Sequence, residues 1–233
     1  MSNLNVSQTV AQMVADDASL AVVFQRFGID FCCHGDVLLE DACAERGLDE
    51  DSVRRELQRV VERRGSAAPA SLRARSTPEV IHHIVSKHHA YLSESVPQLA
   101  FLASKVASVH GVRNGKLVEL AEVVSAFAKD IAAHLEEEER NLFPALLKEP
   151  PDLEAVRAGL RSMFEEHVEV GRTLGRLRTL SDGFSTPPWG CRSYRALMEE
   201  LDALETDTLE HVHIENHVLM PRYTSGGPDE GRG

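Results

Sequence analysis

No apolar run in this chain approaches the roughly 18 residues that a membrane-spanning helix needs. The opening "MSNLNVSQTV" has no basic cluster ahead of an apolar stretch, so it does not read as a secretion signal. Basic residues are also in short supply. The 25 Lys and Arg stand against 37 Asp and Glu, a formal charge of -12, and the cations are scattered rather than gathered into a stripe. Such a chain repels nucleic-acid phosphates and anionic lipid at long range, which argues against both as partners. Cysteine is sparse, four in 233 residues, and two of the four are adjacent. A chain this long, with 42% hydrophobic residues, can bury a core without disulfide staples. A soluble, cytoplasmic protein with free thiols is the expectation.

What the chain does have is helical periodicity. "SQTVAQMVAD", "ASLAVVFQRFG", "DVLLEDACAERG" and "DEDSVRRELQRVVERR" each read as a short amphipathic helix, two of them closed by glycine. "RGSAAPASLRARSTP" follows with no hydrophobic period and the composition of a linker. Beyond Thr77, strand-like alternation of β-branched residues is missing, and four long helical patterns run over about 78–110, 115–148, 152–180 and 192–222. Thr77 is read as the first N-cap with Pro78 at the first helical position, and Pro97 as a kink. The fold class is therefore all-α. A small helical N-terminal domain (1–63), a linker (64–76), an up-down four-helix bundle (77–223) and a disordered tail (224–233) are expected.

Two segments stand out inside the bundle. "HLEEEERNLFP" (His134 to Pro144) and "HVHIENHVLMP" (His211 to Pro221) share a skeleton of His, Glu four residues on, an apolar pair and Pro. Residues i and i+4 lie about 40° apart on a helix, so each His shares a face with its Glu. At 100° per residue, His134 and Glu138 fall in line with Val124, Phe127, Ile131 and Leu142, while His211 and Glu215 follow Leu197, Leu201, Leu204 and Thr208. Both pairs face the core. Glu136, Glu137 and Glu139 are left as a solvated run. The other two helices each carry one inward histidine, His89 and His167.

A lone inward histidine is more often a packed core residue than a ligand, but buried carboxylates need a countercharge, and these faces hold no Lys or Arg. Metal is the economical answer. Four His and two Glu suit a pair of first-row ions, iron or manganese better than thiolate-seeking zinc. His213 and His217 fall on the opposite, solvent side of the wheel; His82 competes with His89; His83, His88 and His110 read as surface or loop residues.

On these motifs, and on "GIDFCCHG" near the N-terminus, the chain resembles the iron-sulfur cluster repair di-iron proteins, the Repair of Iron Centres family, over about residues 5 to 223. That family pairs a small ScdA-type domain with a hemerythrin-like bundle. The resemblance implies metal ligands at His89, His134, Glu138, His167, His211 and Glu215, holding two Fe ions in an oxo- and carboxylate-bridged di-iron centre. It further implies repair of clusters damaged by nitrosative or oxidative stress, through iron donation or a nitric oxide reductase-type activity. Damaged iron-sulfur proteins and small ligands such as nitric oxide or dioxygen would be the partners, with a homodimer left open. Cys32 and Cys33 are candidate thiols, and His34 replaces the first glycine of the family's Cys-Cys-Gly-Gly, placing an imidazole beside them. Cys43 and Cys191 are read as structural.

Two other functions compete. A hemerythrin-like carrier or sensor of dioxygen or nitric oxide would use five His with Glu and Asp. A ferritin-like oxidase would carry Glu-x-x-His, the reverse of the order found here.

Overall fold

A computed structural model of the chain describes residues 7–64 and 71–224. Part of the expected linker (65–70) and nearly all of the expected tail (225–233) lie outside the described residues. The helices are α1 (Val10–Asp16), α2 (Ala21–Phe27), α3 (Leu39–Arg46), α4 (Glu50–Arg64), α5 (Thr77–His83), α6 (Ala90–His110), α7 (Lys116–Glu137), α8 (Phe143–Leu147), α9 (Leu153–Leu180), α10 (Arg192–Ile214) and α11 (Pro221–Thr224). Single 3-10 turns cover Ala18–Leu20 and Leu72–Ala74, and one isolated β-bridge joins Thr9 to Leu38. The described residues contain no strand, so the chain is all-α as its periodicity requires.

The chain divides into two compact units, with the division falling inside α5 and inside α10. One contains Met1–Val80 together with Leu209–Gly233. Its first helix starts with a capping box in which Thr9 Oγ1 accepts from the Gln12 backbone N–H and Gln12 accepts from that of Thr9. Helix α2 ends at Gly28, whose φ of 67° is the left-handed conformation that glycine adopts without a Cβ penalty. Phe24, Phe31, Leu39, Val53 and Leu57 fill its interior along with Val212 and Leu219.

Helix α5 opens one residue earlier than the sequence suggests. Ser76, not Thr77, holds the cap, its backbone N–H and hydroxyl both bonding Glu79 Oε2, while Thr77 accepts from Arg222 at 3.1 Å.

The second unit, Ile81–Thr208, holds α6, α7 and α9, with α7 packed against both neighbours. The helix stays continuous through Pro97. The expected apolar stripes are buried: Leu92 and Val96; Val124, Phe127 and Ile131; Val156, Leu160 and Met163; Leu197, Leu201 and Leu204.

Three π-helical segments interrupt these helices, at Ile84–His89, Glu138–Leu142 and Glu215–Leu219. Two have a cause in the sequence. The Phe143 N–H reaches Glu138 O, and the Met220 N–H reaches Glu215 O at 2.8 Å, each five residues back. A proline follows at once in both cases, Pro144 and Pro221. Proline has no N–H to donate, and its ring collides with the carbonyl four residues back. Widening the turn ahead of it makes room. Each π segment begins or ends on one of the residues expected to bind metal, the kind of place where such bulges occur.

Candidate metal centre

Within the Ile81–Thr208 unit, His89, His134, Glu138 and His167 come together. Glu138 is buried, and its two carboxylate oxygens face different histidines. Oε2 lies 3.3 Å from His89 Nε2, and Oε1 lies 3.4 Å from His134 Nε2. His167 Nε2 is 3.3 Å from His134 Nε2. Two imidazole nitrogens aimed at one another's lone pairs, with a carboxylate oxygen beside them, form a donor set that suits a cation.

The spacing fits as well. Donors about 2.1 Å from one ion stand about 3.0–3.4 Å apart, between octahedral and tetrahedral angles. Glu138 thus addresses His89 with one carboxylate oxygen and His134 with the other.

The outer nitrogens of the same rings are also held. His89 Nδ1 donates to Glu139 Oε1 at 2.8 Å, and His134 Nδ1 donates to Glu166 Oε2 at 2.7 Å. A ring whose Nδ1–H is fixed by a carboxylate presents Nε2 as the acceptor, the tautomer a metal needs, and is made more basic by the pairing.

Glu139 is therefore not part of a purely solvated run. It follows Glu138 directly and holds a histidine from another helix. Glu136 and Glu137 are exposed, as expected. Glu166 carried no signal of its own in the sequence. His134 and Glu166 also line a cleft of about 470 Å³ whose walls include Asp130, Glu137 and Glu169.

In the other unit, His211 Nε2 lies 3.0 Å from Glu215 Oε1, and both side chains are fully buried. The i,i+4 arrangement of the first motif is reproduced.

The remaining histidines sort differently from their helical-wheel reading. His82 is exposed and does not compete with His89. His88, expected at the surface, is buried with Nδ1 2.9 Å from Asp207 Oδ1, because the π segment turns two successive residues inward. His213 and His217, expected to face solvent, instead meet the Phe31–Cys32 backbone. His213 Nδ1 donates to Phe31 O at 2.9 Å, His217 Nε2 to Cys32 O at 3.0 Å, and Asn216 Nδ2 to Cys32 O at 2.8 Å. Burial pushes the His213 pKa down to about 3, so the ring is neutral and donates as a neutral imidazole. The helical wheel places these side chains correctly on the face away from His211. It cannot know that this face is covered.

Cys32 and Cys33 are both buried, and neither is in a disulfide. Cys43 is a free, buried thiol too, whereas Cys191 is exposed, with Sγ 3.1 Å from His110 Nε2. That imidazole, with the backbone N–H groups of Tyr194 and Ser193, lowers the Cys191 pKa to about 7.

Known proteins carry the same combination. The hemerythrin HHE cation binding domain matches residues 80–223, and ScdA_N, a domain of unknown function, matches residues 6–61. The chain is 30% identical to the iron-sulfur cluster repair protein YtfE of Cronobacter sakazakii, over 94% of this chain and 97% of that protein. It is 28% identical to the iron-sulfur cluster repair protein ScdA of Staphylococcus haemolyticus, over 92% and 97%. The YtfE protein of Escherichia coli O1:K1 stands at 28%, over 94% and 97%. No helix among the described residues is long and apolar enough to cross a membrane. With a hemerythrin HHE domain over most of its length and an ScdA_N domain ahead of it, the chain belongs to the hemerythrin HHE family and, within it, to the iron-sulfur cluster repair proteins.

Proposed function

We propose that His89, His134, Glu138, His167, His211 and Glu215 together hold two iron ions, and that the chain uses them to restore iron-sulfur clusters damaged by nitrosative or oxidative stress. The carrying observation is Glu138, one carboxylate addressed by the inward nitrogens of two histidines whose outward nitrogens are each fixed by another carboxylate. The repetition of the motif would give Glu215 the same ligand role beside His211. Imidazole and carboxylate without thiolate favour iron over zinc. The relatives' names point to clusters as the target.

Bound iron would supply one-electron redox change and open positions for a small ligand such as nitric oxide. The chain's residues supply the rest. Glu139 and Glu166 hold the Nδ1 protons and keep the His89 and His134 rings oriented. Together with Glu138 and Glu215 they make four carboxylates, the charge that offsets two ferrous ions. The cleft at His134, walled by Asp130, Glu137, Glu166 and Glu169, concentrates negative potential where a ferrous ion would pass.

This reading favours iron donation. A ferrous chelator should strip the reduced protein faster than a ferric chelator of comparable strength strips the oxidised one. The iron-loaded chain should also restore the visible absorbance of a [4Fe-4S] protein damaged by nitric oxide beyond what equimolar free iron achieves. Slow iron loss after reduction would move the function toward nitric oxide chemistry at the site, and no restoration above free iron would overturn the repair reading.

A further inference from the structure

The loop between α2 and α3 holds a second group of metal-binding atoms, unrelated to the bundle ligands. Asp30, Cys32 and Cys33 each place a donor atom within 4.8 Å of the other two. Successive residues of an extended chain point their side chains to opposite sides, so adjacent cysteines share a side only if the backbone turns. Asp30 makes that turn. Its Oδ1 accepts the backbone N–H of Cys32 at 3.0 Å and of Cys33 at 2.9 Å.

The loop is then fixed from behind. Phe31 O and Cys32 O accept from His213, Asn216 and His217, and Gly35 O and Val37 O accept from the N–H groups of Ala11 and Val10. A Cβ on Gly35 would lie 2.8 Å from Phe31 O, so the close return of the chain requires glycine there. With its carbonyls occupied, the loop presents two thiols and a carboxylate on one side.

The thiols are not spaced as a disulfide. Cys32 Sγ and Cys33 Sγ stand 3.5 Å apart, far beyond the roughly 2.05 Å of an S–S bond. Two sulfurs at 2.3 Å on one tetrahedral ion would be about 3.8 Å apart, and a sulfur and a carboxylate oxygen about 3.5 Å. Cys32 Sγ lies 3.4 Å from Asp30 Oδ1. Two of the three donor separations thus already stand near those of such a site, and all three donors lie within 4.8 Å of one another. Asp30 Oδ2 is held at 3.0 Å by His34 Nδ1, an exposed ring that steadies the carboxylate from the solvent side.

We propose that Asp30, Cys32 and Cys33 bind one thiophilic divalent cation, with His34 as a positioning residue for Asp30 and the fourth coordination position open to an incoming ligand. Binding replaces two S–H protons by one cation, so each ion bound releases up to two protons to solvent. Three protein ligands and an open position characterise a site that exchanges its cargo rather than one that closes a structure. The site stands whether or not the bundle holds iron.

The test is Co²⁺ titration of the full-length chain, read by the thiolate-to-cobalt charge-transfer band that sites built only of nitrogen and oxygen lack. The Glu138→Ala/Glu215→Ala variant, with both carboxylate ligands of the bundle removed, should still show one equivalent with that band. The band should vanish in Cys32→Ser/Cys33→Ser and persist in Cys191→Ser. Asp30→Asn keeps an acceptor for the two backbone N–H groups, and with helix content unchanged it should bind cobalt at least tenfold more weakly. His34→Gly should weaken binding about 10-fold or more, as loss of a ligand-orienting group does. No thiolate band in the wild-type chain, a band that survives the double cysteine replacement, or unchanged affinity in a folded Asp30→Asn would overturn the proposal.

Discussion

The two H-x-x-x-E segments put the same positions to opposite uses. In each, the His and its i+4 Glu are buried, His134 with Glu138 and His211 with Glu215. The outward positions then diverge. Glu136 and Arg140 form an exposed i,i+4 ion pair, while their counterparts His213 and His217 have tilted rings with centroids 5.1 Å apart and donate to the Phe31 and Cys32 carbonyls. Glu139 reaches a histidine, while its counterpart Asn216 bonds Cys32 O. A repeated motif therefore specifies the buried His–Glu pair. What covers the other face decides everything else, and a carboxylate suits the wet one as a neutral donor suits the covered one.

Breaking the shared part should have the largest effect. Glu138→Ala and Glu215→Ala are each expected to lose bound metal, while Glu136→Ala and Glu137→Ala keep it, as read by metal content after desalting. Equal loss in all four would mean that burial does not separate ligand from surface here.

The next effect belongs to the outer partners. Glu139→Ala and Glu166→Ala should each reduce metal affinity about 10–100-fold by freeing the His89 and His134 rings. Competition against a chelator of known affinity measures it, and wild-type affinity in both would show that the imidazole orientation is set by packing alone.

The divergent positions should separate in stability rather than metal binding. Asn216→Ala removes one of the two donors to the buried Cys32 carbonyl, which keeps His217, at a cost of about 0.5–1.5 kcal/mol. Glu136→Ala removes an exposed ion pair and should stay within about 0.5 kcal/mol. Chemical denaturation compares them, and similar values would dissolve the contrast between the two faces.

The smallest effect extends the contrast to the thiols. The hydrogen bond with the Cys33 thiol, and then burial, push the Cys32 pKa well up, whereas His110 beside exposed Cys191 lowers that pKa to about 7. A depressed thiol pKa means thiolate above the lowered value. Iodoacetamide labelling of Cys191 should thus rise through about pH 7, and His110→Ala should move the midpoint up toward the ordinary thiol range. A midpoint in that ordinary range already in the wild-type chain would remove His110 from the argument.

These contrasts mark what the sequence could reveal. Apolar spacing at 3.6 residues located every long helix and the inward side of each, because burial of a stripe depends on the helix itself. His89 and Glu138 were legible for that reason. Glu139 and Glu166 were not, since a hydrogen bond between helices leaves no periodic trace. His213 and His217 were misplaced because the face opposite His211 is covered by Phe31 and Cys32, residues about 180 positions away. The π segments shift helical phase by one residue and buried His88 against its wheel position. Pro144 and Pro221 were visible signals for two of those segments.

The central claim is that six residues hold two ions, and metal analysis of the purified full-length chain after iron-replete expression tests it most directly. Because the Asp30, Cys32 and Cys33 group could add an ion of its own, the Cys32→Ser/Cys33→Ser variant is measured alongside. The account predicts two iron atoms per chain in that variant, with the Glu138→Ala change in the same background falling well below one. A single equivalent, or stoichiometric zinc in place of iron, would contradict it.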